Sequence, residues 1–293
     1  MSATNASLRI TRPLVFRHRG VVARHPRIVL SVLLLGVLLG LAVFAPFITS
    51  YDPTALDVAQ RLRSPSALHL FGTDAYGRDI FARTIYGGRN SMLIGASVAT
   101  IATLIGTTLG LLGGYFRWLD PIVMRISDGL MSIPAILLAI AMMSLTKASV
   151  ETVIIAITIP EVPRVIRLVR AMVLTIREQT YVQAAVSAGT RMPRLIIRHI
   201  LPNVLTPLIV QGTYICASAV LLEAYLGFLG AGPPPEIPSW GNMIAESRSF
   251  VQLAIWNIMF PGGFLALLVL AVNMLGDGVR DMLDPRLARG IGR

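Results

Sequence analysis

Six apolar runs, at about 28–49, 91–115, 129–146, 150–169, 204–229 and 253–275, constrain this chain more than any other feature. A helix of about 20 residues rising 1.5 Å per residue crosses the roughly 30 Å hydrocarbon core of a bilayer. Inside that core every backbone N–H and C=O must be paired within the protein, which leaves helices as the form for runs of this kind. The expectation is an all-α membrane protein of about six transmembrane helices. Composition agrees at the point where it decides: 14% of residues are charged, against about a quarter in soluble domains. The mean hydropathy is +0.69.

The first run follows a polar, arginine-rich segment and is longer than the 7–15 residue apolar region of a cleaved signal, so it reads as an uncleaved helix. The chain then divides into a cytoplasmic N-terminal tail (1–27), a first transmembrane helix (28–49), an external loop (50–90), a five-helix core (91–275) and a cytoplasmic C-terminal tail (276–293). Within the core, a polar stretch at 170–203 forms a cytosolic loop. Pro160 and Pro163 flank Glu161 in the fourth run, so a kinked helix is expected there. Orientation follows from the excess of basic residues on the inner side. With both termini inside, only Arg61, Arg63, Arg78, Arg83, Arg89, Lys147 and Arg248, of 26 Lys and Arg, fall on the outer side.

The net charge of +11 does not point to nucleic acid, because the basic residues sit in short segments between apolar runs, where they anchor topology. The lone Lys147 follows Thr146, so the phosphate-binding Gly-Lys-Ser/Thr motif is missing and the chain has no such ATP site. His18, His25, His69 and His199 are dispersed without a zinc-binding spacing, and no Gly-x-Ser-x-Gly elbow occurs. Cys216, the single cysteine, lies in an apolar run and reads as a packing residue. No enzymatic activity, bound cofactor or metal is expected of this chain.

The polar stretch Tyr181 to Pro202 carries the most information. A small-residue helix around Gln183, Ala184, Ala185 and Ala188 reaches Gly189, which can take a positive φ. A second short helix begins near Pro193, a good first-turn residue, and is expected to stop before Pro202. Together they form a compact knob whose small alanine face lets another protein approach closely. An amphipathic helix lying on the membrane without a partner is the alternative on physical grounds alone. In the first outer loop, Gly72, Thr73, Asp74, Gly77, Arg78 and Asp79 make a second cluster, where the glycines permit tight turns and the charges can pair locally. A folded loop is favoured there over direct contact with a substrate.

The stretch at 181–202 resembles the permease subunits of ATP-binding-cassette importers. Their signature is Glu-Ala-Ala, three residues, Gly, nine residues, then Ile-x-Leu-Pro. Gln183, Ala184, Ala185, Gly189, Leu201 and Pro202 fall at those spacings, with Gln183 in place of the acid and His199 in place of the Ile. Arg198 to Asn203, the 72–79 cluster, Pro233 to Pro235, Pro238 to Gly241 and Asn273 to Arg286 look like the dipeptide, oligopeptide and nickel branch. The resemblance implies type-1 importer permease architecture. It also implies a coupling helix seated on a cytosolic ATPase, a second homologous permease, two ATPase subunits that use the ATP, and an external substrate-binding protein. Peptides are the implied cargo, with nickel or another small solute as the alternative within the branch.

Charges inside a span cost about 2.5–3.5 kcal/mol and so face protein or water. Glu223 and Glu161 are thereby candidates for a transport path or a subunit contact. Glu161 beside two prolines also supports a rival, an ion-coupled secondary transporter.

Overall fold

The computed structural model describes residues 26–283; the cytoplasmic tail expected before residue 26, and Asp284 to Arg286 of the closing motif, lie outside the described residues. Among those described there is no β-strand, only a bridge between Thr73 and Asp79. Helix α1 runs Pro26–Val43, and a four-residue turn α2, Ala45–Ile48, follows it. Next come α3 (Ile80–Tyr115), α4 (Asp120–Met131) and α5 (Ala135–Ser144). They are followed by α6 (Val150–Arg177), α7 (Thr180–Ser187) and α8 (Met192–Leu195). The described residues end in α9 (Leu201–Phe228), α10 (Trp240–Ser247) and α11 (Trp256–Leu283).

By length and apolarity α1, α3, the continuous stretch Met192–Phe228 and α11 can each cross a membrane, and α4 with α5 can do so as a pair bent by 84°. Helix α6 is long enough but holds Glu161, Arg164 and Arg167 near its middle.

Several expected boundaries are corrected. The second run begins at Ile80, not 91, because Asp79 caps the helix by accepting from the Ala82 N–H at 2.7 Å, and Arg83 and Thr84 are buried by tertiary contacts. The third run is broken at 132–134, where Pro134 has no N–H and disfavours helical backbone at Ile133. The fourth run stays helical through Pro160 and Pro163 and extends to Arg177, so the expected cytosolic loop starts at Glu178 and not at residue 170. The last helix continues to Leu283, taking in the start of the expected tail.

The tightest packing is between α3 and α6. Gly106, Gly110 and Gly114, one per turn, face Val165, Val169 and Val173, and an added Cβ at any of the three would lie 2.4–2.7 Å from the valine Cβ. Small residues at this spacing let two membrane helices approach at backbone distance. The rising register makes α3 and α6 parallel. Gly95 against Cys216 and Val220, and Gly212 against Thr103, make α9 antiparallel to them. The bundle therefore has two distinct ends. The starts of α3, α6 and α11 share one; the ends of α3 and α6 and the start of α9 share the other.

Candidate functional site

At the second end, Arg177 closes α6 with its guanidinium on the Gly114 carbonyl at 3.3 Å, and the chain turns through Gln179 into α7. Gly189, at φ +77°, ends α7. Its N–H donates to the Val186 carbonyl (2.9 Å) and the Thr190 N–H to that of Ala185 (3.1 Å), the paired bonds of a Schellman stop. Arg191 is extended, and Pro193 sits in the first turn of α8. Val182 and Leu195 are buried and pin the two short helices to the core, with Ala185 packed half-buried beside them.

What remains outward is a small surface of Gln183, Ala184, Ala188, Gly189 and Pro193, with Val186 beside them. Nothing lies within 4 Å of where a Gly189 Cβ would be. The Gln183 amide donates to the Glu178 carbonyl at 3.3 Å and so folds back on its own turn.

The second short helix does not stop before Pro202, as expected, but runs into α9. Pro202 offers no N–H to the Arg198 carbonyl, and just before it the ladder widens by one residue, the Leu201 N–H donating to Ile196 five residues back. Leu201 is half-buried and Pro202 exposed at the start of α9. Asn203 clasps the knob, its amide donating to the Tyr181 hydroxyl (3.2 Å) and the His199 carbonyl (2.7 Å). Neither that clasp nor the anchoring by Val182 and Leu195 was read from the sequence, although Val182, a branched apolar residue beside polar and small ones, is a signal for the latter.

The opposite end holds the outer-loop cluster. Gly72 and Gly77 adopt φ of +79° and +78°, and a Cβ at Gly77 would sit 1.6 Å from the Asp57 carbonyl oxygen. Thr73 donates its hydroxyl to the Gln60 carbonyl and accepts from the Arg63 N–H at 2.8 Å. Asp74 accepts from the Tyr76 and Arg78 N–H groups and from the Arg78 guanidinium at 2.6 Å. Asp79 caps α3 and bonds His69 at 2.8 Å.

All six motif residues belong to one network, completed by Glu246 of α10, which meets Arg78 at 2.5 Å and Arg83 at 3.2 Å. Glu246 is 168 positions from Arg78, and nothing local in the sequence marks it. Arg78, Asp74 and Asp79 are buried and Arg83 is only 1% exposed, so the cluster is built as a folded joint.

Glu223 is wholly buried between α3, α9 and α10, where one oxygen accepts from Ser91 at 3.1 Å. Glu161 is also buried, held by Arg164 at 2.9 Å and reaching Ser218 of α9 at 3.5 Å. Further along α6, Arg167 meets Asp128 at 2.6 Å, and Arg170 makes a two-pronged bond to Asp120, so two ion pairs fasten α4 to α6. The arrangement sets a small exposed knob at one end of long helices and an ionic joint at the other.

The sequence matches, over residues 106–289, the family described as binding-protein-dependent transport system inner membrane component. The chain belongs to this family. It is therefore a multi-pass bacterial inner-membrane protein and a transport component, not itself an enzyme. A probable peptide ABC transporter permease protein of Sinorhizobium fredii is 51% identical, covering 98% of both chains. The dipeptide transport system permease protein of Alkalihalophilus pseudofirmus is 46% identical over 84% of this chain and 82% of its own. A probable D,D-dipeptide transport system permease protein of Escherichia coli is 41% identical over 89% and 88%. Among solved structures, the MetNI methionine ABC transporter in an inward-facing conformation matches with a TM-score of 0.56 at 19% identity, covering 72% of this chain and 97% of that one. That likeness shows a shared fold.

Proposed function

We propose that this chain is a permease subunit of an ATP-driven peptide importer, and that Gln183 to Pro193 is the surface through which a cytosolic ATPase drives it. The observation that carries the reading is the knob itself. Its exposed face is small and includes Ala184, Ala188 and a left-handed Gly189 with open space around it, while Val182 and Leu195 tie its inner face to the bundle. Such a surface admits a groove of another protein at close range and passes on any displacement. The excess of basic residues on one side supports a cytosolic knob and cytosolic termini, with the Asp74 to Glu246 joint outside. The partners are two ATPase subunits that consume ATP, a second homologous permease that completes the path, and an external binding protein that delivers the peptide. Movement of the ATPase grooves shifts the knobs and alternates the path between inward-open and outward-open states. The three relatives, all named for peptides, support that cargo.

Co-expression of the chain with its neighbouring ATPase and permease subunits tests this. Gly189→Pro demands a φ near −65° where +77° is needed, and should lose the ATPase on purification. Gly189→Asn, which tolerates the left-handed region, should keep it. A wild-type chain that never retains an ATPase would sink the reading.

A further inference from the structure

Beside the ionic joint lies a cavity of about 350 Å³, bounded by the end of α9, the proline-rich loop after it and the turn following α10. Its walls are fixed by close backbone contact. A Cβ at Gly232 would fall 2.6 Å from the Gly227 Cα, and Asn242 donates to the carbonyls of Pro233 (3.0 Å) and Pro234 (3.3 Å), holding the loop against α10. Phe228, Leu229 and Pro235 give it an apolar lining. Two charged residues reach it. Glu246 already faces Arg78 and Arg83, and with Asp74 that group of four is balanced. Arg248, exposed at the cavity's edge with its guanidinium 5.9 Å from the Phe228 ring centre, has no carboxylate partner among the described residues. It is the cavity's uncompensated charge.

We infer that this cavity is a binding site for the carboxylate end of a short peptide, with Arg248 as the carboxylate-binding residue. An anion alone would need no apolar wall, and an apolar ligand alone would need no free guanidinium. A peptide's last residue supplies both, the carboxylate taking two parallel N–H bonds from arginine and the side chain lying on Phe228 and Leu229. The volume lies at the small end of ligand pockets, enough for one to three residues. The rigid loop means that little ordering is needed when it fills. The inference rests on the importer reading and adds a contact on the permease itself, at the outer mouth of the path.

The test uses the assembled transporter in membrane vesicles, with Cys216→Ala and a reporter Leu229→Cys. Two methanethiosulfonate reagents, one bearing a sulfonate and one a trimethylammonium group, are timed at the reporter. Relative to the same two reagents on a free thiol in solution, the anionic reagent should be favoured about five- to tenfold, a preference that one cation within several ångströms produces in water. Arg248→Gln should flatten the ratio and Arg248→Lys should retain it. Trialanine should slow labelling, and trialanine amide, which lacks the carboxylate, should not. A ratio indifferent to Arg248→Gln, protection by both peptides alike, or protection by neither would overturn the inference. Retention of the ATPase by these same preparations is scored separately. A flat ratio with the ATPase bound removes the site and leaves the importer reading standing; loss of the ATPase from the wild type removes the reading.

Discussion

Glu246→Ala would strip the outer joint of the carboxylate that Arg78 and Arg83 share. Removing one partner of a buried ion pair costs about 3–5 kcal/mol, because the remaining charge is left in a poor solvent. Two features reduce that here: the Glu246 side chain is 23% exposed, and Asp74 still lies 2.6 Å from Arg78 and 3.8 Å from Arg83. A loss of about 2–3 kcal/mol remains. At about 2–4 °C per kcal/mol for a chain of this size, the unfolding midpoint should fall by about 5–10 °C.

Tryptophan fluorescence in detergent reads this directly, since Trp256 sits against Gly72 of the outer loop and Trp240 donates to the Thr84 carbonyl at the start of α3. Arg83→Met in the same chain removes the cation left in excess of Asp74 and should recover about half the loss. A midpoint for Glu246→Ala within about 2 °C of the wild type, or no recovery in the double variant, would refute a cluster stabilised by charge pairing.

Three further outcomes follow from the packing. Gly110→Ala places a Cβ 2.7 Å from that of Val169 and 3.0 Å from the Ile166 carbonyl, and should cost about 1–3 kcal/mol in the same assay; Gly36→Ala, with nothing within 4 Å, should cost nothing and can gain up to about 1 kcal/mol of helix propensity. Asp79→Ala removes the cap of α3 and the His69 partner together and should cost about 1–2 kcal/mol, with Asp79→Asn recovering most of the cap; equal losses for both would place the effect elsewhere. Pro202→Ala supplies the missing N–H and removes the reason for the widened turn at 196–200, so α8 should rotate by about a residue relative to α9. Peptide uptake should then fall while the chain stays folded, and uptake at the wild-type rate would show the turn to be idle.

How much of this was legible in the sequence depends on how local the causes are. The knob is set by Gly189, Pro193 and the alanines within a dozen positions, and the sequence places its first helix, turn and second helix start correctly. Its end was misread because a proline preceded by a helix usually marks a stop; here a one-residue widening absorbs the missing bond, and that adjustment leaves no trace in composition. The start of α3 was missed for the opposite reason. Arg83, Arg89 and Asn90 look like a loop, yet each is bonded to a distant segment: Arg83 to Glu246, Arg89 to the Ala42 carbonyl, Asn90 to that of Pro238 at 2.7 Å. Hydropathy registers a residue's cost in lipid but not the partner that offsets it.

The unequal packing of α6 gives the knob its leverage. On one side α6 is locked to α3 through three glycine and valine contacts at backbone distance; on the other it meets α9 far less extensively, with Glu161 to Ser218 at 3.5 Å as a polar link. The knob is the segment that joins α6 to α9, anchored by Arg177 and Gly114 on the first side and by Asn203 and Tyr181 on the second. A push on it therefore acts across the weaker seam. Packed interfaces have few alternative fits and so tend to move as units, so α6 should shift relative to α9 while α3, which packs closely on both, keeps its contacts with each. The ionic joint ties α3 to α10 through Arg83 and Glu246, so on the proposed drive from the knob such a shift pivots near the joint and opens widest at the knob end. On the proposed reading the bundle works as a lever hinged by a buried ionic joint and driven from its far end, with the mid-helix Glu161 to Arg164 pair of α6 lying between the two.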